Sequence, residues 1–84
     1  MVGPYVATKE LTDSNFTEET AGKTVVIDFW AEWCGPCRSF APVFTKVSAE
    51  YGDVIFGKVD VDANPGLAQA FGVTAIPTLV VMKN

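Results

Sequence analysis

Seven consecutive residues, Thr24-Val25-Val26-Ile27-Asp28-Phe29-Trp30, constrain the fold more than any other stretch of the chain. All but Asp28 are β-branched or aromatic, the residue types that fit a pleated, packed surface. Apolar side chains fall on both parities, so both faces of this strand must be covered, as in the central strand of an α/β sheet. The run then passes through Trp33-Cys34-Gly35-Pro36-Cys37 into a segment with helical spacing. A continuous apolar run, a Gly-Pro breaker and a period near 3.6 read as strand, turn and helix.

The remaining elements follow the same logic. Tyr5 to Leu11 alternates weakly and suggests a short first strand at a sheet edge, after a disordered start over residues 1–4. Thr12 or Asp13 can cap a short helix over Ser14 to Glu19 that turns Phe16 inward, with Ala21-Gly22-Lys23 as the turn that ends it. After Cys37, residues Phe40, Ala41, Phe44, Val47, Ser48 and Tyr51 form one stripe, with Pro42 inside the helix and Gly52 as its stop. Val54 to Val61 reads as a strand, and Asn64-Pro65 starts a short helix that carries Leu67, Ala68 and Phe71 inward and closes at Gly72. Val73 to Pro77 is a loop before a last strand, Thr78 to Lys83. The order β-α-β-α-β-α-β implies an α/β sandwich, one domain over residues 1–84, built on a mostly parallel sheet with helices on both faces.

Composition narrows the function. The chain has 84 residues, of which 49% are hydrophobic, so it forms a core. Its net charge is −4, with acidic and basic residues scattered singly, which argues against a nucleic-acid partner. No apolar run is long enough for a membrane span, and Met1 to Glu10 lacks the features of a signal peptide. The expected compartment is the cytoplasm, where a lone cysteine pair is redox-active or metal-binding more often than structural.

Cys34 and Cys37 are the only cysteines. At i and i+3 on a helix their Cα atoms lie roughly 5–6 Å apart, within the range a disulfide needs. If Cys34 is the N-cap, its sulfur faces the free N–H groups of the first turn, which together with the helix dipole favour the thiolate. Cys37, one turn in, holds its proton longer. Cys34 is therefore the candidate nucleophile and Cys37 the resolving thiol. Gly35 lets backbone approach closely, and Pro36 stiffens the ring that the disulfide closes, so both tune the redox poise. Zinc needs four ligands, and with no His and no second cysteine pair a metal would have to bridge two chains.

Asp28 is the second candidate. A carboxylate in a central apolar strand resists ionisation and suits a proton acceptor near neutral pH; the other reading is a strand-end aspartate facing solvent. Lys58, on the neighbouring strand, is either its partner or an ordinary exposed lysine.

The decapeptide Asp28-Phe-Trp-Ala-Glu-Trp-Cys-Gly-Pro-Cys37 resembles the active-site signature of the thioredoxin family, residue for residue. The likeness continues through Ala41-Pro42, Lys58-Val-Asp-Val-Asp62, Asn64-Pro65, Phe71-Gly72-Val73 and Ile76-Pro77-Thr78, and covers nearly all of the chain from Leu11 onward. The resemblance implies a three-layer sandwich with a mixed central sheet. It implies that Asp28 takes the proton of Cys37 through water, that Lys58 biases Asp28, and that Trp30 and Trp33 flank the site. Pro77, trans by default because only about 5% of X-Pro bonds are cis, becomes a cis proline beside the disulfide. Ile76 and Trp33 become substrate-binding, with the Ile76 backbone pairing to a bound strand.

The function so implied is a protein-disulfide reductase, with disulfide-containing proteins as substrates, thioredoxin reductase as partner and no cofactor beyond the cysteine pair. One departure stands out. The family continues past Lys83-Asn84 with a further strand and helix that this sequence does not contain, so a fragment, a homodimer or a swapped assembly is expected. That departure keeps a second reading open, a thioredoxin-fold binding or scaffold module with little turnover. A third is a dimer holding a metal or iron–sulfur cluster through four cysteines.

Overall fold

The computed structural model describes residues 7–84. The expected start over residues 1–4, and Tyr5 and Val6 of the first strand, lie outside the described residues. Four strands form one sheet: β1 (Thr8–Glu10), β2 (Thr24–Trp30), β3 (Ile55–Asp60) and β4 (Thr78–Lys83), in the order β1-β3-β2-β4. Three helices connect them: α1 (Phe16–Thr20), α2 (Gly35–Ser48) and α3 (Pro65–Ala70). β1 and β2 both run parallel to β3, whereas β4 runs antiparallel to β2. The sheet is thus mixed, as the family resemblance implies, and still mostly parallel, with two of its three strand pairs parallel. The connection from β3 to β4, residues 61–77 with α3 inside it, is long enough for a parallel crossover, so its length alone does not set the antiparallel sense of β4.

β2 is the central strand that its composition requires. Val25, Ile27 and Phe29 are fully buried on one face and pack with Leu11, Val59 and Leu67. Phe16 of α1 and Phe71 after α3 cover this cluster, with ring centroids 5.7 Å apart and Phe71 a further 5.7 Å from Phe29. Burying side chains of this size contributes about 1.5–3 kcal/mol each. Gly57 of β3 belongs to the same face, being in register with Ile27. A Cβ at Gly57 would run into the side chain of Leu11, so the missing side chain is what lets the Leu11 side chain pack there.

α2 covers the other face. Its buried residues, Cys37, Phe44 and Ser48, recur at i, i+7 and i+11, one stripe along the helix. Phe44 meets Phe56 of β3 at 5.5 Å between centroids. Asp28, Lys58 and Trp30 share the parity of Val26 and Phe56, so they lie on this same face beneath the helix.

Three local expectations are corrected. The N-cap position of α1 is Asn15, not Thr12 or Asp13, and its side chain makes no cap bond; its Oδ1 accepts from the Thr12 N–H instead. The Asp13 carboxylate instead accepts from the N–H groups of Gly66 (3.2 Å) and Leu67 (2.9 Å), capping α3 from 53 residues away. Asn64, at the N-cap of α3, makes no cap bond of its own; its Oδ1 accepts from the N–H of Asp13. α2 ends at Ser48 with Ala49 as its C-cap, one turn before Gly52. Tyr51 therefore lies beyond the helix and is half exposed, with its ring 6.3 Å from Phe56. Gly72 does close α3, at φ 65°, where a side chain would be strained.

β4 forms the edge of the sheet opposite β1. Its outward residues Leu79 and Val81 are 50% and 72% exposed. Both continue the α2 face, in register with Asp28 and Val26, and Leu79 lies beside Phe40 and Val43.

Candidate active site

The strand-to-helix turn after β2 builds the centre of the site. Cys34 has extended backbone angles (φ −90°, ψ 107°) and is the N-cap of α2. Gly35 and Pro36 are the first two helical residues, where proline's missing N–H removes no helical bond. The backbone N–H of Cys37 points at Cys34 Sγ, 3.2 Å away. Cys34 and Cys37 are joined in a disulfide, with Cα atoms 5.2 Å apart. Both are buried, packed with Ala31 against Trp30, Val61 and Ile76. Spacing alone places the pair correctly. The geometry also supplies the donor that would stabilise a Cys34 thiolate once the disulfide is reduced.

Asp28 is fully buried, and neither carboxylate oxygen has a hydrogen-bond partner within the protein. Of its two sequence readings, the solvent-facing one is thereby overturned: the residue sits mid-strand under α2, not at an open strand end. Burial pushes its carboxyl above the ordinary aspartate range, and the Lys58 ammonium opposes that rise. Lys58 is in register with Asp28 on the adjacent strand and is half-buried, with Nζ 5.0 Å above the Trp30 ring.

The third component comes from the loop before β4. The Ile76–Pro77 bond is cis. The carbonyl oxygen of Ile76 lies 3.9 Å from Cys34 Sγ, so this loop and the disulfide face each other. Beside them an apolar cleft of roughly 310 Å³ is lined by Trp33, Val61, Ala68, Val73 and residues 74–76. Trp33 is 68% exposed, yet its indole N–H donates to Asp62 at 2.8 Å. The sequence reading missed Asp62 and the groove residues Val61, Ala68 and Val73. A tryptophan beside a reactive cysteine signals that an N–H acceptor is needed, but nothing in the sequence points to one 29 positions away.

Cys34, Cys37 and Ile76, with Trp33 and Pro77 adjoining them in sequence, thus meet beyond the end of β2, and Asp28 and Lys58 lie one pleat back from Trp30 along their strands. The family model for thioredoxin matches residues 7–84. The chain belongs to the thioredoxin family.

A relative from Streptomyces coelicolor is 53% identical over 78 residues, 92% of this chain and 58% of the relative. Thioredoxin of Listeria monocytogenes is 48% identical over 77 residues, 90% of this chain and 75% of that protein. In three dimensions, the crystal structure of Malassezia sympodialis thioredoxin matches with a TM-score of 0.87 at 43% identity, over all of this chain and 76% of that one. The chain therefore spans between about three-fifths and three-quarters of these relatives' lengths. Thioredoxin membership together with the Cys34–Cys37 disulfide supports thiol–disulfide oxidoreductase chemistry and does not favour the scaffold reading. Among the described residues, no helix is long and apolar enough to cross a membrane.

Proposed function

We propose that the chain is one thioredoxin domain that reduces protein disulfides through Cys34 and Cys37. The observation that carries this reading is the Cys37 N–H aimed at Cys34 Sγ, at a helix N-terminus that borders an apolar cleft. In the reduced protein, the Cys34 thiolate attacks one sulfur of a substrate disulfide. The Cys34–substrate S–S bond forms, the substrate S–S bond breaks, and the first leaving thiolate takes a proton from water. Cys37 then gives its proton to Asp28 and attacks Cys34 Sγ. The substrate's second thiolate leaves, and the protein is left in the disulfide form seen here.

The substrate gains two electrons and the protein loses two, so an external reductant must restore the dithiol. Thioredoxin reductase is the partner proposed for that step, and the cytoplasm the compartment. Asp28 is the proton acceptor because it is a buried carboxylate with neither oxygen bonded to another protein group, and Lys58 tempers it. Gly35 and Pro36 keep the disulfide ring short and stiff. Trp33, Ile76 and Pro77 hold the substrate segment, the Ile76 backbone through main-chain bonds that read no side chain.

Insulin reduction with dithiothreitol as electron donor tests the reading. The chain should accelerate precipitation of the insulin B chain, and Cys37→Ser should instead accumulate mixed disulfides through Cys34. Absence of acceleration by the wild-type chain, or failure of Cys37→Ser to trap any substrate, overturns it.

A further inference from the structure

Three adjacent strands set three ionisable side chains in one row. Glu10 of β1 is in register with Lys58 of β3, and Lys58 is in register with Asp28 of β2. Register partners in parallel strands project to the same face, so carboxylate, ammonium and carboxylate follow one another across two strand spacings, about 10 Å. Among the described residues the only ion pair is Lys9–Glu19, so Lys58 is bound to neither carboxylate; its Nζ rests over Trp30. Thr8, Glu10, Trp30 and Lys58 line a cleft of roughly 290 Å³, which gives the lysine room to swing toward Glu10 and away from Asp28. Glu10 stands at the exposed edge of that cleft, and Asp28 lies outside it, fully buried on the other side of Lys58.

We propose that Glu10 is a positioning residue for Asp28, competing with it from the opposite side of β3 for the single Lys58 ammonium. The inference rests on the reading of Asp28 as the proton acceptor for Cys37. A charged Glu10 draws Lys58 outward, and Asp28 then holds a proton more readily. With Glu10 neutral, Lys58 leans inward and favours the Asp28 carboxylate. No covalent bond changes in this step; the proton moves only between Asp28 and its donor or water.

Other elements packed on this face add little competing charge. α2 presents Cys37, while its Arg38 and Lys46 are exposed and Arg38 donates to the Glu32 carbonyl. β4 presents Leu79 in register with Asp28. Asp60 lies one pleat further along β3, and its Oδ1 accepts from the N–H groups of Asp62 and Ala63.

The test is an NMR pH titration of the Asp28 carboxyl carbon in the oxidised chain. It compares wild type, Glu10→Gln, Lys58→Met and the double variant, with Glu18→Gln as an equal charge change on exposed α1. Glu10→Gln should lower the Asp28 midpoint by about 0.3–1 pH unit, while Glu18→Gln leaves it in place. In the Lys58→Met background the Glu10→Gln shift should fall to less than half. No shift, a shift matched by Glu18→Gln, or an undiminished shift without Lys58 overturns the proposal. The pH profile of insulin reduction gives the second readout, its acid limb moving with the midpoint. A midpoint that moves while the limb stays fixed would support Glu10 as a positioning residue and refute Asp28 as the base.

Discussion

The two faces of β2 carry opposite kinds of surface. On one, Val25, Ile27 and Phe29 are fully buried among apolar neighbours, and α1 and α3 complete the cover. On the other, one residue out of step, Asp28 is just as deeply buried but has no hydrogen-bond partner, with Lys58 beside it and Cys37 on the helix above. A single strand thus holds the fold together with its odd-numbered residues and keeps a costly carboxylate with an even-numbered one. The first face can be explained by burial alone. The second makes no sense as stability, because taking a carboxylate out of bulk water without a protein partner costs about 1–3 kcal/mol or more. It makes sense as a proton site.

Substitutions on each face should separate these roles. Phe29→Ala removes a buried ring and its contact with Phe71, and should cost about 3–5 kcal/mol in denaturant unfolding. A loss under 1 kcal/mol would show that this face does not carry the core. Gly57→Ala should cost about 1–3 kcal/mol, since Leu11 must leave its place to admit the Cβ. A neutral result would mean that β1 is held loosely. In both variants that remain folded, the reactivity of Cys34 should stay at its wild-type level, because neither residue faces α2.

The sequence was legible where the physics is local. A strand rich in β-branched and aromatic residues, a Gly-Pro break and an i, i+3 cysteine pair each act within a few residues, and the structure has β2, α2 and the Cys34 N-cap where those signals lie. It was ambiguous where an answer depends on a distant partner. Asp13 looks like a cap for the helix that follows it, yet it caps α3, because Asn64 holds its backbone beside that helix's free N–H groups. Trp33 finds Asp62 across the site. Asp28 could have faced solvent by strand periodicity alone, and only the cover of α2 excludes that. The cis bond at Pro77 was expected from family resemblance and from no local signal. The antiparallel sense of β4 follows from how the loop after α3 returns to the sheet, which periodicity does not encode.

The decisive measurement is the stability of Asp28→Ala against wild type as a function of pH, taken alongside its turnover. Burial raises the carboxyl of native Asp28 above its unfolded value. Between those two values the native state binds more protons than the unfolded state, so wild-type stability falls as pH rises through that window and stays lowered above it. Below the unfolded value, near pH 4, both states are neutral and the charge penalty vanishes. Asp28→Ala should therefore gain stability over wild type from about pH 4 upward, reaching about 1–3 kcal/mol at neutral pH, while insulin reduction slows and loses its acid limb. A variant that is less stable than wild type at neutral pH, or that turns over with an unchanged pH profile, would contradict the division between a face that folds and a face that moves a proton.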